Sequence, residues 1–170
     1  MKLYCFGESG HSYKAALALQ LAKIDWTPVF VDFFNGEARS EKYKSEINEM
    51  GEVPVLIDGD TKLTQSGVIQ TYLFNKTGKH GGSNETEKLE VLRWILWDNH
   101  KFSSFVGNTR YLMNFFPQDK RPQPVIDFNL ARLKNSYDIL EKALSGKDFL
   151  VGNDITHADM TCCSYLYYPE

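Results

Sequence analysis

Glu52-Val53-Pro54-Val55-Leu56-Ile57-Asp58-Gly59-Asp60-Thr61-Lys62-Leu63-Thr64-Gln65-Ser66-Gly67-Val68-Ile69 decides the fold. Val53 to Ile57 is apolar and partly β-branched, which predicts a strand entered through a proline. Proline suits a strand's first residues because its missing N–H is not needed there. Asp58-Gly59-Asp60 predicts a hairpin turn, since Asp-Gly supplies the positive φ such a turn requires. Lys62 to Thr64 then returns as a strand, and Ser66 to Asn75 predicts a helix. This stretch presents two groups to a ligand. One is a backbone edge beside Val53; the other is a helix start at Gln65 and Ser66, whose first N–H groups have no intrahelical partner. A peptide-like ligand bearing a carboxylate fits that pair.

Upstream, Lys2 to Phe6 predicts a first strand and Gly7 to Gly10 a loop. Ser12 to Lys23 predicts a helix, with Ala15, Ala16, Leu19 and Ala22 on one face. Thr27 to Phe33 predicts a second strand, and Glu41 to Ile47 a short helix. The order β-α-β-α-β-β-α joins a crossover at the front to a hairpin at the back. A crossover implies parallel pairing and a hairpin antiparallel pairing, which together give a mixed, thioredoxin-like α/β sheet.

Downstream, Thr77-Gly78-Lys79-His80-Gly81-Gly82-Ser83-Asn84 breaks the periodicity, because glycines this dense do not hold a helix. The reading is therefore a first domain over residues 1–76, a linker over 77–84, and an all-helical domain over 85–170. Glu85 to about Phe115 carries Leu89, Leu92 and Leu96 at helical spacing, and Pro117, Pro122 and Pro124 mark a break. Ile126, Leu130, Leu133, Tyr137, Leu140 and Leu144 outline an amphipathic helix that stops at Gly146. Thr156 and Asp159 match a capping box at the start of an apolar helix running towards Tyr168, with Ile155 and Met160 placed for a hydrophobic staple.

With 170 residues, 42% hydrophobic and 24% charged, the chain has the balance of a soluble globular protein. A net charge of −3 without a long basic run argues against nucleic acid as a partner. No apolar stretch approaches the ~20 residues of a membrane-spanning helix. Cys5, Cys162 and Cys163 form no CxxC, and His11, His80, His100 and His157 make no pair at ligand spacing, so no metal site is expected. The cysteines read as reduced thiols of a cytoplasmic protein.

The order of elements, Val53-Pro54, Gln65-Ser66 and the Thr156–Asp159 capping box together resemble the cytosolic glutathione transferases. Ser9-Gly10-His11-Ser12-Tyr13-Lys14 and Trp97-Asp98-Asn99-His100-Lys101 look like the serine-type bacterial and theta-like members. The likeness covers essentially the whole chain. Family members usually continue for some tens of residues beyond the capping-box helix, whereas this sequence stops at Pro169-Glu170, so the helical domain is expected to be incomplete at its C-terminus.

The resemblance implies roles residue by residue. The Val53-Pro54 bond would be cis, turning the Val53 backbone outward to pair with the cysteinyl part of glutathione. Gln65 and Ser66 would hold the γ-glutamyl end, with Ser66 and the helix start capturing its α-carboxylate. Ser9 would donate a hydrogen bond to the glutathione thiolate; Ser12 is the runner-up, and His11, Tyr4, Tyr13 and Cys5 are lesser rivals. Asp98 would reach the glutathione bound by a partner chain in a homodimer. Phe102, Phe105, Tyr111 and Phe115 would line a pocket for a hydrophobic electrophile. Lys44, Asn48 and Glu52 would touch the glycyl carboxylate or position the loop. The implied activity is transfer of glutathione, a cosubstrate, to electrophiles in detoxification. Two alternatives are a non-catalytic module for protein assembly and a glutathione-dependent reductase or peroxidase that uses a cysteine.

Read from residues alone, Ser9 is equally a loop or capping serine, and Ser66 an ordinary first-turn serine.

Overall fold

A computed structural model describes residues 1–168. The chain divides into two compact units, Met1–Gly81 and Gly82–Glu170.

The first unit runs β1 (Lys2–Cys5), α1 (Gly10–Leu21), β2 (Thr27–Phe30), α2 (Glu41–Glu46), β3 (Val55–Asp58), β4 (Thr61–Thr64) and α3 (Ser66–Thr77). Its four strands lie in the order β2-β1-β3-β4. β1 and β2 are parallel, while β3 runs antiparallel to both β1 and β4. The mixed thioredoxin-like sheet expected from the crossover and the hairpin is therefore present. The hairpin turn is the two residues Gly59 and Asp60, with Asp58 opposite Thr61 and Gly59 at φ 58°.

Alternation along the strands divides the core. Tyr4 and Val53 pack with Val31, Ala38 and Tyr43, on the side of α2. Leu3 and Leu56, paired across β1 and β3 and fully buried, face the other way. α1 and α3 pack against each other, burying Ala15, Ala18, Leu19, Ile69 and Leu73.

Element boundaries differ from the sequence reading in one consequential place. α1 starts at Gly10, with Ser9 as its N-cap accepting a hydrogen bond from the Ser12 N–H at 3.1 Å. Glycine and polar residues in Ser9–Ser12 hide this first turn from an apolar-periodicity argument.

The second unit contains α4 (Glu85–Trp97), α5 (Ser103–Arg110), α6 (Gln123–Leu144) and α7 (His157–Cys162). The single long helix expected over residues 85–115 is interrupted by π-helical turns at Asp98–Phe102 and Tyr111–Phe115. Its core face is not the one that carries Leu89, Leu92 and Leu96. Val91, Trp94 and Ile95 are buried with Phe102, Val106, Leu140 and Leu150. Leu89, Leu92 and Leu96 stand exposed, at 67%, 43% and 61%. α4 is thus apolar on two faces, and the leucines occupy the one its own unit does not cover. α7 is shorter than read, ending at Cys162, but its capping box is complete. No helix among the described residues is long and apolar enough to cross a membrane.

Candidate functional site

The topology brings three chain segments to one end of the sheet. β1 is antiparallel to β3, with Tyr4 opposite Val55, so the end of β1 lies beside the start of β3. β3 is antiparallel to β4, with Val55 opposite Thr64, so the end of β4 arrives at the same level. The turn Phe6–Ser9, the Val53-Pro54 pair and Gln65-Ser66 follow or precede these strand ends directly. His11 Nδ1 closes the set at 3.3 Å from Ser66 Oγ.

The Val53-Pro54 peptide is cis, as the resemblance implied. Val53 lies outside β3, and its side chain turns inward against the Val31–Tyr43 cluster. Its N–H and C=O make no backbone hydrogen bond among the described residues. The loop ahead of it is pinned from both sides. Asn48, buried, donates from its amide to the Glu52 carbonyl at 2.9 Å and accepts from the Met50 N–H at 3.1 Å. The Tyr43 hydroxyl donates to the same Glu52 carbonyl at 3.1 Å. Burial first, then the nearby Glu37 and Tyr4, push the Tyr43 phenol up to about 12, so it stays a donor. Asn48 therefore shapes the loop. Lys44 points to Glu41, 3.7 Å away.

Gln65 precedes α3 at φ 68°, a left-handed conformation that a non-glycine residue adopts at a cost. Its amide nitrogen donates to Glu52 Oε2 at 2.9 Å, which leaves the amide oxygen as an acceptor. No side chain caps α3. The first N–H to find a carbonyl is that of Ile69, bonded to Gln65. The N–H groups of Ser66, Gly67 and Val68 are left without partners among the described residues. Three convergent donors at the positive end of a twelve-residue helix make a seat for an anion.

The two candidate serines on α1 separate clearly. Ser9 Oγ accepts from the Ser12 N–H, which leaves its own O–H proton available to an anion. The Ser12 hydroxyl is completely buried and has no partner among the described residues, so it cannot meet a ligand without rearrangement of α1. Cys5, in β1, is half-buried, and burial pushes its thiol above the ordinary value. That disfavours the thiolate a nucleophilic cysteine needs.

The structure moves two expectations away from the site. Asp98 is fully buried: its carboxylate oxygens accept from Ser103 Oγ and Thr161 Oγ1, each at 2.8 Å. It ties the π-helical turn to α7 and has no surface to offer a second chain. Phe102 is likewise core, stacked on Trp97 with centroids 6.2 Å apart. Tyr111 and Phe115 remain exposed.

Sequence reasoning gave His11 only a minor place and treated Lys14 as part of a motif, yet both face the site. Lys14 is fully buried, and its ammonium lies 3.4 Å from His11 Nδ1. The signal available in the sequence was a lysine on the alanine-rich face of α1, spaced three residues from a histidine.

Comparison with known proteins points to one family. Residues 1–75 match the family model "Glutathione S-transferase, N-terminal domain", and residues 109–170 match "Glutathione S-transferase, C-terminal domain". The chain is 28% identical over 166 residues to Glutathione S-transferase F14 of Arabidopsis thaliana, covering 94% of this chain and 65% of that protein. It is 24% identical to the Disulfide-bond oxidoreductase YfcG of Escherichia coli, covering 92% and 75%. Among solved structures, a possible glutathione S-transferase from Rhodopseudomonas palustris superposes with a TM-score of 0.89 at 26% identity, over 98% of this chain and 75% of that one.

Proposed function

The chain belongs to the glutathione S-transferase family, and from that membership we propose that it binds glutathione and transfers it to electrophilic compounds. The observation that carries the reading is the uncapped start of α3 beside the unpaired backbone of Val53. A tripeptide with a carboxylate at its γ-glutamyl end matches the donors and acceptors of this pair. The Val53 N–H and C=O pair with the cysteinyl residue as an added strand would. Ser66 and the N–H groups following it hold the α-carboxylate. The Glu52 carboxylate, held 2.9 Å from the Gln65 amide nitrogen, and the Gln65 amide oxygen supply acceptors for the ammonium.

Ser9 then meets the cysteinyl sulfur. A hydrogen bond to a charged group stabilises it by roughly 1.5–3 kcal/mol. One pKa unit corresponds to about 1.36 kcal/mol, so a thiol near ~8.5 falls to about 6.5–7.5 and is largely thiolate at neutral pH. The thiolate attacks an electrophilic carbon; the carbon–sulfur bond forms as the bond to the leaving group breaks. We assign this chemistry to a cytoplasmic detoxification role. The exposed leucine face of α4 supports a second copy of the chain as partner, giving a homodimer.

The test is direct. Glutathione binding is measured by calorimetry, and conjugation of a chloronitroarene by absorbance. Ser9→Ala should leave binding nearly unchanged and lower turnover by one to two orders of magnitude, from the hydrogen-bond energy above. Intact turnover in that variant sinks the role of Ser9; absent glutathione binding in the parent chain sinks the whole reading and leaves the non-catalytic module.

The similarity to a disulfide-bond oxidoreductase favours a second reading, glutathione-dependent disulfide reduction. The raised Cys5 thiol argues against a version in which that residue is the nucleophile. Reduction of a small dithiol-forming disulfide at the expense of glutathione, unaffected by Cys5→Ser, separates this chemistry from conjugation.

A further inference from the structure

Behind the anion seat lies a seam of polar side chains buried between α1 and α3. Ser66 and Gln70 are one turn apart on α3, and His11 and Lys14 one turn apart on α1. His11 Nδ1 stands 3.3 Å from Ser66 Oγ and 3.4 Å from Lys14 Nζ. Lys14 and Gln70 have no exposed surface. Both polar atoms of the Gln70 amide lack partners among the described residues, so the seam holds hydrogen-bonding capacity beyond what these contacts use.

Resting on the reading that glutathione occupies this site, we propose that His11 and Lys14 are positioning residues for the α-carboxylate, holding the Ser66 hydroxyl in place and setting a positive charge behind it.

The hydrogen-bond chemistry has one consistent assignment. An ammonium only donates, so Lys14 contacts Nδ1 as an acceptor, and the imidazole carries its proton on Nε2. Burial first, and then the Lys14 charge, lower the His11 pKa to about 3, which keeps the ring neutral and Nδ1 an acceptor. The Ser66 hydroxyl, on the other side of that nitrogen, donates to the same lone pair when no anion is present. When the carboxylate arrives, Ser66 turns its proton to the anion and Lys14 alone fills Nδ1. His11 and Ser66 give up each other in the exchange, but Nδ1 keeps Lys14 and the hydroxyl gains the carboxylate, so capture of the anion strands neither of them. The lysine charge, one imidazole nitrogen away from the hydroxyl and sheltered from water, adds to the field of the α3 N-terminus.

The test compares two ligands on the full chain. Glutathione carries the γ-glutamyl carboxylate; cysteinylglycine lacks the entire γ-glutamyl unit but retains the thiol and the glycyl end. His11→Ala and Lys14→Met should each raise the glutathione Kd roughly five- to tenfold, on the scale of one net hydrogen bond, because the hydroxyl is no longer preset or the charge behind it is removed, while leaving the cysteinylglycine Kd unchanged. His11→Asn places an amide oxygen where Nδ1 stood and should restore glutathione affinity to within about twofold, on the same hydrogen-bond scale. A merely structural role would weaken both ligands together and would not be rescued. Unchanged glutathione affinity in His11→Ala, or equal losses for the two ligands, overturns the inference while the site assignment stands. If the parent chain fails to bind glutathione at all, the functional reading itself fails, and the two failures are told apart by that first titration. Melting curves of each variant guard against misfolding, and His11→Asn keeps the question open to an answer if His11→Ala does not fold.

Discussion

The starts of α7 and α3 meet the same problem in opposite ways. Each helix begins with N–H groups that have no carbonyl to bond. At α7 the chain closes the problem internally: Thr156 Oγ1 accepts from the Ala158 N–H, and Asp159 accepts from the Thr156 N–H at 2.8 Å. The other Asp159 oxygen accepts from the Leu150 N–H, also at 2.8 Å, so the cap fastens the preceding loop as well. At α3 the cap position holds Gln65, in a left-handed conformation, with its side chain turned away to Glu52. The helix start stays open, and the polar groups near it lie behind the N–H donors instead of on them. A closed helix start is a stability device and an open one is a receptor. Perturbing each should therefore move different observables.

The largest effect is expected at the closed end. Asp159→Ala removes three hydrogen bonds from an ionised acceptor, to the N–H groups of Leu150 and Thr156 and to the Thr156 hydroxyl. A stability loss of about 3 kcal/mol is expected from breaking such a network, read by chemical denaturation. A loss under about 0.5 kcal/mol, the range of ordinary surface substitutions, would break the contrast.

Ser9→Ala comes next and straddles the two categories. Ser9 caps α1, so about 1 kcal/mol of stability should go with it. The same hydroxyl is proposed to hold the thiolate, so the pH midpoint of the ultraviolet thiolate band of bound glutathione should rise by one to two pH units. A stability loss with an unmoved midpoint would make Ser9 a cap and nothing more.

Ser66→Ala sharpens the contrast at the open end. No N–H of α3 relies on its side chain, so the melting temperature should hardly move. Glutathione affinity should fall roughly tenfold, since the backbone donors remain and one hydroxyl donor is lost. Calorimetric titration and a melting curve on the same sample give both numbers; a large stability loss with unchanged affinity would reverse the assignment of open and closed ends.

How much of this was legible in the sequence follows the same division. The α7 cap could be read because both partners lie within four residues of each other, in a pattern with one physical meaning. The mixed sheet could be read because crossover and hairpin leave few topologies. Asp98 could not be read correctly. Its partners are Ser103, five residues on at the spacing of a π-helical turn, and Thr161, sixty-three residues away. An α-helical periodicity places neither of them beside it. The leucine face of α4 shows a related limit: apolar spacing shows that a face is apolar, not what covers it. The Lys14–His11–Ser66 seam joins helices fifty residues apart, and only the packing of α1 on α3 brings it together.

The smallest expected effect tests that seam through the His11 imidazole. The His11 pKa is lowered from the ordinary 6.5 to about 3, by burial and then by Lys14. The unfolded chain therefore binds a proton at His11 as pH falls below about 6.5, while the folded chain does not until about 3. Where the unfolded state binds more protons, stability rises with pH, so this contribution is complete above 6.5 and is lost as pH falls towards 3. Besides Lys14, the facing groups Ser66 and Gln70 on α3 do not ionise in this range. Asp58, Glu87 and Glu90 are held below their ordinary carboxylate values by hydrogen bonds to Lys76, Ser83 and Arg93 respectively, and the parent chain and His11→Asn share them. Urea denaturation between pH 6.5 and 5.5 should accordingly show the parent chain losing about 1 kcal/mol more than His11→Asn, which has nothing to titrate there. Parallel pH profiles would mean that the imidazole is not held neutral behind Ser66. The open helix start would then lack the acceptor that keeps its hydroxyl ready for the anion.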